Sequence, residues 1–218
     1  MDSYRIVLIH GFLKNNNDMK YLANFFQDKG FLVDSLNLPL TFSEIKKSEY
    51  ILSEKIKYIL KDKINPSKEL VLIGYGLGGV VLRKVISELN ISNSFIKIIL
   101  IASPTKMPKI FKTYPKILKI TSKIFKPLNV FQSGDIERLE KCEEFKLGII
   151  AGTSSEDTTF FKILDTYNDG TFSLDEVTFQ EEFELLKIPF GHNELHKRKG
   201  TAEYILDFIE TGKFKVEA

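Results

Sequence analysis

Short, mostly apolar runs recur along the chain: Arg5 to Ile9, Phe31 to Leu36, Glu69 to Ile73, Ile96 to Ile101, Leu147 to Ala151 and Phe183 to Pro189. Runs of this length, bounded by turn residues, suit strands buried on both faces of a parallel sheet. Between them the apolar positions switch to helical spacing. Met19, Leu22, Ala23 and Phe26 mark one helix, which Gly30 stops. Thr41 and Glu44 stand at capping-box spacing before a long amphipathic stretch to about Lys63, closed by Pro66. Val80 to Leu89 and Thr201 to Glu210 read as two more helices, the last stopped by Gly212. The alternation predicts an α/β fold with a doubly wound, mostly parallel sheet of about six strands.

Residues 104–146 break the alternation. Lys106, Lys109, Lys112, Lys116, Lys119, Lys123 and Lys126 alternate there with Ile110, Phe111, Ile117, Leu118, Ile120, Ile124 and Phe125, without an acidic residue between them. The stretch is too long for a simple crossover and predicts a helical insertion over the carboxyl edge of the sheet. Three uses fit it: a solvated lysine face over a core-facing side, a cap or lid over a hydrophobic pocket, or a patch that docks on anionic lipid or acyl groups in a weak contact with a membrane surface.

A length of 218 residues supports one substantial core, so residues 1–218 read as a single domain with its cap insertion at 104–146. A net charge of +2 gives no global field for nucleic acid. The single cysteine, Cys142, excludes an internal disulfide framework and reads as an ordinary helix residue. Met1-Asp2-Ser3-Tyr4 has no basic region before an apolar core, and no apolar run reaches the ~18–20 residues of a membrane span. A cytoplasmic location is the expectation. Oligomeric state is not legible.

Leu72-Ile73-Gly74-Tyr75-Gly76-Leu77-Gly78-Gly79 joins a strand to a helix through a tight glycine turn. Gly74, Gly76 and Gly79 satisfy the G-x-G-x-x-G spacing that cradles a dinucleotide pyrophosphate at a helix N-terminus. That fold wants an acidic residue near the end of the next strand, and Ile101-Ala102-Ser103 supplies none. The same turn fits the G-x-S-x-G nucleophile elbow, with Gly76 where the serine belongs.

Taken with the rest of the chain, this turn resembles that of the α/β-hydrolase superfamily, in particular small lipases and esterases. His10-Gly11-Phe12, at the end of the first strand, is similar to the H-G-x turn of that family. The resemblance implies an oxyanion hole from the N–H groups of Phe12 and Leu77, with His10, Gly11 and Tyr75 around the bound group. Asn168-Asp169-Gly170 lies where the family carries its acid, and Ile188 to His192 resembles the histidine loop. Gly76, Asp169 and His192 then follow the family's order of nucleophile, acid and histidine. His196 is an alternative imidazole, and Asp157 and Asp165 are alternative acids. His10 by itself reads as a brace for the oxyanion turn. No cofactor is implied, and the three histidines lack partners at metal-ligand spacing.

Glycine at the apex leaves the chemistry without a nucleophile, since acyl transfer needs a hydroxyl or thiol there. In a triad enzyme of another fold, losing the serine costs on the order of a millionfold in turnover. The first expectation is therefore very weak or absent ester hydrolysis, with a retained pocket for a small acyl or ester-like ligand. The second is an active serine carboxylester hydrolase in which the serine has been exchanged. The third is a dinucleotide-binding protein using Gly74, Gly76 and Gly79.

Overall fold

Strand β1 (Tyr4–Ile9) lies between β2 (Leu32–Leu36) and β3 (Glu69–Tyr75), and β4 (Ile96–Ile101), β5 (Lys146–Gly152) and β6 (Glu184–Ile188) extend the sheet beyond β3. All five pairings are parallel, in the order β2-β1-β3-β4-β5-β6. The six strands coincide with the six apolar runs to within a residue or two. This computed structural model describes residues 4–62, 69–89, 95–132, 136, 145–154, 164–165, 167–179 and 183–215. Cys142, Asp157 and Pro66 lie outside the described residues.

The period of two along each strand sends alternate side chains to opposite faces. Val7, Ile9, Leu72, Ile98 and Leu100 face one way and pack under α2 (Ile45–Lys61) and α3 (Leu77–Leu89). Ile6, Leu8, Val71, Ile73, Ile99 and Ile101 face the other way, against α1 (Lys20–Asp28) and a helix at Lys199–Thr211. Both faces are therefore covered, and the strands need no polar alternation. Each fully buried Leu, Ile or Val contributes about 1.5–3 kcal/mol over its exposed state.

Two local expectations fail. Thr41 and Glu44 form no capping box: α2 starts at Ile45, and Glu44 at its N-cap makes no side-chain cap hydrogen bond. Tertiary contacts hold the preceding turn instead, with Leu40 buried and Phe42 stacked on Phe125. Capping boxes form at Asn15/Asp18 and at Ser173/Glu176. Helix α3 also starts at Leu77 rather than Val80.

After β4 the chain forms α4 (Lys109–Thr113), α5 (Pro115–Ile124) and a 3-10 turn at Lys126–Phe131. Short helix α6 (Leu174–Val177) follows β5, and the helix at Lys199–Thr211 is α7, ended by Gly212 at φ +74°. Among the described residues no helix is long and apolar enough to cross a membrane.

The strand order reverses at β1: β2 lies on one side of it and β3 on the other. Such a switch point opens a crevice beyond the carboxyl ends of the two adjoining strands. Ile9 pairs with Gly74, so the turns after β1 and β3 emerge side by side at that crevice.

Candidate active site

The turn after β3 is held by its own backbone. Gly76 N–H donates to Ile101 C=O at 2.9 Å, and Gly79 N–H donates to Gly76 C=O at 3.1 Å. Gly76 has φ +52°, the left-handed region that disfavours side chains. A Cβ there would nonetheless meet nothing closer than His192 Nε2 at 3.7 Å and Gly11 Cα at 3.8 Å. The neighbouring glycines answer a different demand. A Cβ on Gly74 would lie 2.5 Å from Gly79 Cα, and one on Gly78 2.3 Å from His10 C=O. Gly74, Gly78 and Gly79 thus let α3 press directly on β3 and on the turn after β1. Position 76 alone has room for a side chain.

His10 fixes the adjoining turn. Its ring is buried, Nε2 accepts from Leu38 N–H at 3.0 Å and Nδ1–H donates to Gly11 C=O at 2.9 Å. These two bonds define a neutral imidazole, and burial lowers its pKa. The ring ties the end of β1 to the segment after β2, so its part here is bracing. Leu13 then turns the chain away at φ 56°, a costly backbone for a non-glycine residue. Nothing in the sequence marked it.

Asp169 and His192 meet through two bonds. His192 Nδ1–H donates to Asp169 Oδ2 at 2.8 Å, and His192 N–H donates to Asp169 C=O at 2.7 Å. Asp169 Oδ1 accepts from the N–H groups of Thr171 and Phe172 at 2.9 and 2.7 Å, which fixes the carboxylate. The acid is buried. With Nδ1–H committed to Asp169, the neutral ring turns its Nε2 lone pair toward Gly76. The Tyr75 hydroxyl donates to His192 C=O at 3.2 Å, and Phe172 meets the imidazole edge-on at 5.3 Å.

The alternative groups lie elsewhere. His196 is fully buried, stacked on Tyr75 at 4.0 Å between ring centroids, and neither of its nitrogens has a partner among the described residues. Burial pushes its pKa down to about 3. Asp165 is exposed and ion-paired with Lys109. His192 is the imidazole that lies against position 76, and Asp169 backs its ring.

A cavity of about 260 Å³ opens beside the elbow. Gly11, Phe12, Tyr75, Gly76, Leu77 and His192 line it, and Pro108, Ile110, Phe111, Leu128 and Phe131 add apolar wall. Leu77 begins α3, so its N–H belongs to the first-turn donors that have no intrahelical acceptor. Lys14 and Asn193, which the sequence did not single out, also reach this cavity. A second, more polar cavity of about 410 Å³ lies behind the Asp169–His192 pair, with Ser154, Phe190 and Arg198 in its walls. Among the described residues no three His, Cys, Asp or Glu side chains converge as metal ligands.

Residues 3–118 match a family described as "Putative serine esterase (DUF676)". The chain belongs to this serine-esterase family. No curated protein matches it by sequence. Among solved structures, the mature form of the lipase BlEst2 from Bacillus licheniformis is similar over 95% of this chain and 91% of that one, with TM-score 0.74 and 13% identity. The ydeN gene product of B. subtilis is similar over 95% and 98%, with TM-score 0.68 and 16% identity. Phospholipase PlaB from Legionella pneumophila is similar over 98% of this chain and 60% of its own, with TM-score 0.69 and 11% identity. At such identities the likeness is one of fold, and it gives this serine-esterase family member the α/β-hydrolase fold.

Proposed function

We propose that this chain binds a small acyl or ester-like ligand at the end of β3 and, having glycine at the elbow, hydrolyses esters very weakly or not at all. One observation carries the reading. The His192 ring, backed by Asp169 at 2.8 Å, stands 3.7 Å from the Cβ position of Gly76, where an acyl-transfer site would need its hydroxyl. In this reading the N–H groups of Phe12 and Leu77 hold the ligand's carbonyl oxygen. Ile110, Phe111, Leu128 and Phe131 receive its apolar part, and residues 104–146 act as the cap of the same single domain. A water molecule taking the place of the serine hydroxyl has to be placed and deprotonated without a covalent tether, which keeps any turnover slow.

The second reading, an active serine carboxylester hydrolase whose serine has been exchanged, is favoured by the open space at position 76. The dinucleotide reading loses its support. Gly74 and Gly79 are accounted for by the close packing of α3 on β3, where a Cβ on Gly74 would fall 2.5 Å from Gly79 Cα, with no phosphate needed to explain them.

The deciding experiment compares the chain with its Gly76→Ser variant on a series of p-nitrophenyl esters and with a fluorophosphonate probe. The Gly76 protein is expected to stay near the uncatalysed rate and unlabelled, and the variant to gain turnover and label. A Gly76→Ser protein that is folded, inactive and unlabelled overturns the assignment of His192 and Asp169. Sequencing codon 76 of the gene separates the first reading from the second.

A further inference from the structure

Helix α5 carries more apolar surface than the core uses. Leu118 and Ser122 face inward, yet Ile117, Ile120 and Ile124 are 42%, 63% and 59% exposed, and Tyr114 at the N-cap is 49% exposed. At about 100° per residue, the three isoleucines fall in one narrow arc and Lys116, Lys119 and Lys123 in the arc beside it, away from Leu118. Phe42, 64% exposed, lengthens the strip by stacking on Phe125, the residue that caps α5, at 5.8 Å. A contiguous exposed patch of large apolar side chains rimmed by charge marks an interaction surface.

The charge pattern says what covers it. From Lys106 to Lys126 there are seven lysines and no acidic residue. Asp175 and Asp165 engage Lys106 and Lys109, and Glu44 lies 3.7 Å from Lys126. Lys112, Lys116, Lys119 and Lys123 are exposed, and among the described residues no carboxylate is paired with them. We propose that the outward face of α5, with Tyr114 and Phe42, docks on an anionic lipid bilayer. The isoleucines enter the headgroup–acyl boundary while the flanking ammonium groups stay with the phosphates. Phe12 packs edge-on against Phe125 at 5.4 Å, which links the docking strip to the cavity at Gly76.

The test is co-sedimentation of the intact chain with vesicles of phosphatidylcholine alone and of an equimolar phosphatidylcholine–phosphatidylglycerol mixture. Two triple variants accompany it: Ile117→Gln/Ile120→Gln/Ile124→Gln and Lys116→Gln/Lys119→Gln/Lys123→Gln. All six positions are exposed, so circular dichroism should confirm an unchanged fold. The parent chain is expected to bind the mixed vesicles about tenfold or more tightly than the neutral ones, with affinity falling as salt rises. The lysine variant should lose that preference, and the isoleucine variant should lose binding to both. The inference is overturned if the parent stays in the supernatant with mixed vesicles, or if the isoleucine variant binds as well as the parent. Light scattering adds a further outcome: a dimer abolished by the isoleucine exchanges, without vesicle binding, gives the face to a second copy and overturns the lipid assignment. None of these measurements involves ester turnover, so they stand or fall apart from the proposed function.

Discussion

The Tyr75 hydroxyl donates a hydrogen bond to the main-chain carbonyl of His192 at 3.2 Å, and the two rings lie 5.0 Å apart. The last residue of β3 therefore holds the loop that carries the imidazole, across 117 positions of sequence. Burial first, and then the nearby Asp169 carboxylate, raise the Tyr75 pKa above its usual value of 10.0, so the phenol remains a donor throughout the neutral range.

Tyr75→Phe keeps the ring packing and deletes only this donor. The loss of one partly buried hydrogen bond is expected to cost about 1 kcal/mol in urea unfolding. In the Gly76→Ser background the same change should lower kcat more than it raises KM, because it loosens the imidazole rather than the acyl wall. An unchanged kcat would show that Asp169 alone positions the ring.

The glycines of the elbow should differ sharply when each is exchanged for alanine. At Gly76 the penalty is the positive φ alone, about 1–3 kcal/mol. At Gly78 the new methyl would lie 2.3 Å from His10 C=O, a backbone atom fixed by the end of β1. Gly78→Ala is therefore expected to cost about 3 kcal/mol or more, or to abolish folding. Urea midpoints measured side by side decide it. Equal losses would mean that the α3 contact is soft and that the room at position 76 is no special property.

The inner strands were legible in the chain because both faces of the sheet are covered there, which makes β1, β3, β4 and β5 largely apolar, whereas the edge strands β2 and β6 keep Asp34, Ser35, Glu184 and Lys187. The elbow was legible because α3 packs so closely on β3, on the turn after β1 and on Ser103 that only glycine fits at 74, 78 and 79. The choice between His192 and His196 was not legible. They stand four positions apart, and the carbonyl of Asp169 and the hydroxyl of Tyr75 decide which ring turns toward Gly76. The face of α5 was equally hidden. Its apolar arc is wider than its buried one, so periodicity alone could not show that Leu118 goes in while Ile117, Ile120 and Ile124 stay out. Thr41 and Glu44 misled because a spacing rule carries no knowledge of Phe125, which draws Phe42 away from a helical start.

Two buried neutral histidines predict how stability responds to acid. His196 has its pKa lowered from 6.5 to about 3, mainly by burial, and His10 is shifted in the same direction for the same reason. In the unfolded chain both titrate near 6.5, so below that pH the unfolded state binds protons that the folded state refuses. Their contribution is complete above pH 6.5 and drains away as the pH falls, for His196 down to about 3. For His196 the slope approaches about 1.4 kcal/mol per pH unit between those two values, and His10 acts in the same direction. Asp34 enters later: burial opposes it, but Arg5 and Lys55 hold its carboxyl below the ordinary 3.8. Urea midpoints between pH 7.5 and 4.5 follow this loss, and a variant at one imidazole separates its share. His196→Phe keeps a ring against Tyr75 and removes one proton site, so its curve should lose about one histidine's slope while stability at pH 7.5 is kept or raised. A variant that follows the parent curve through this range would mean that His196 reaches water and protonates without unfolding.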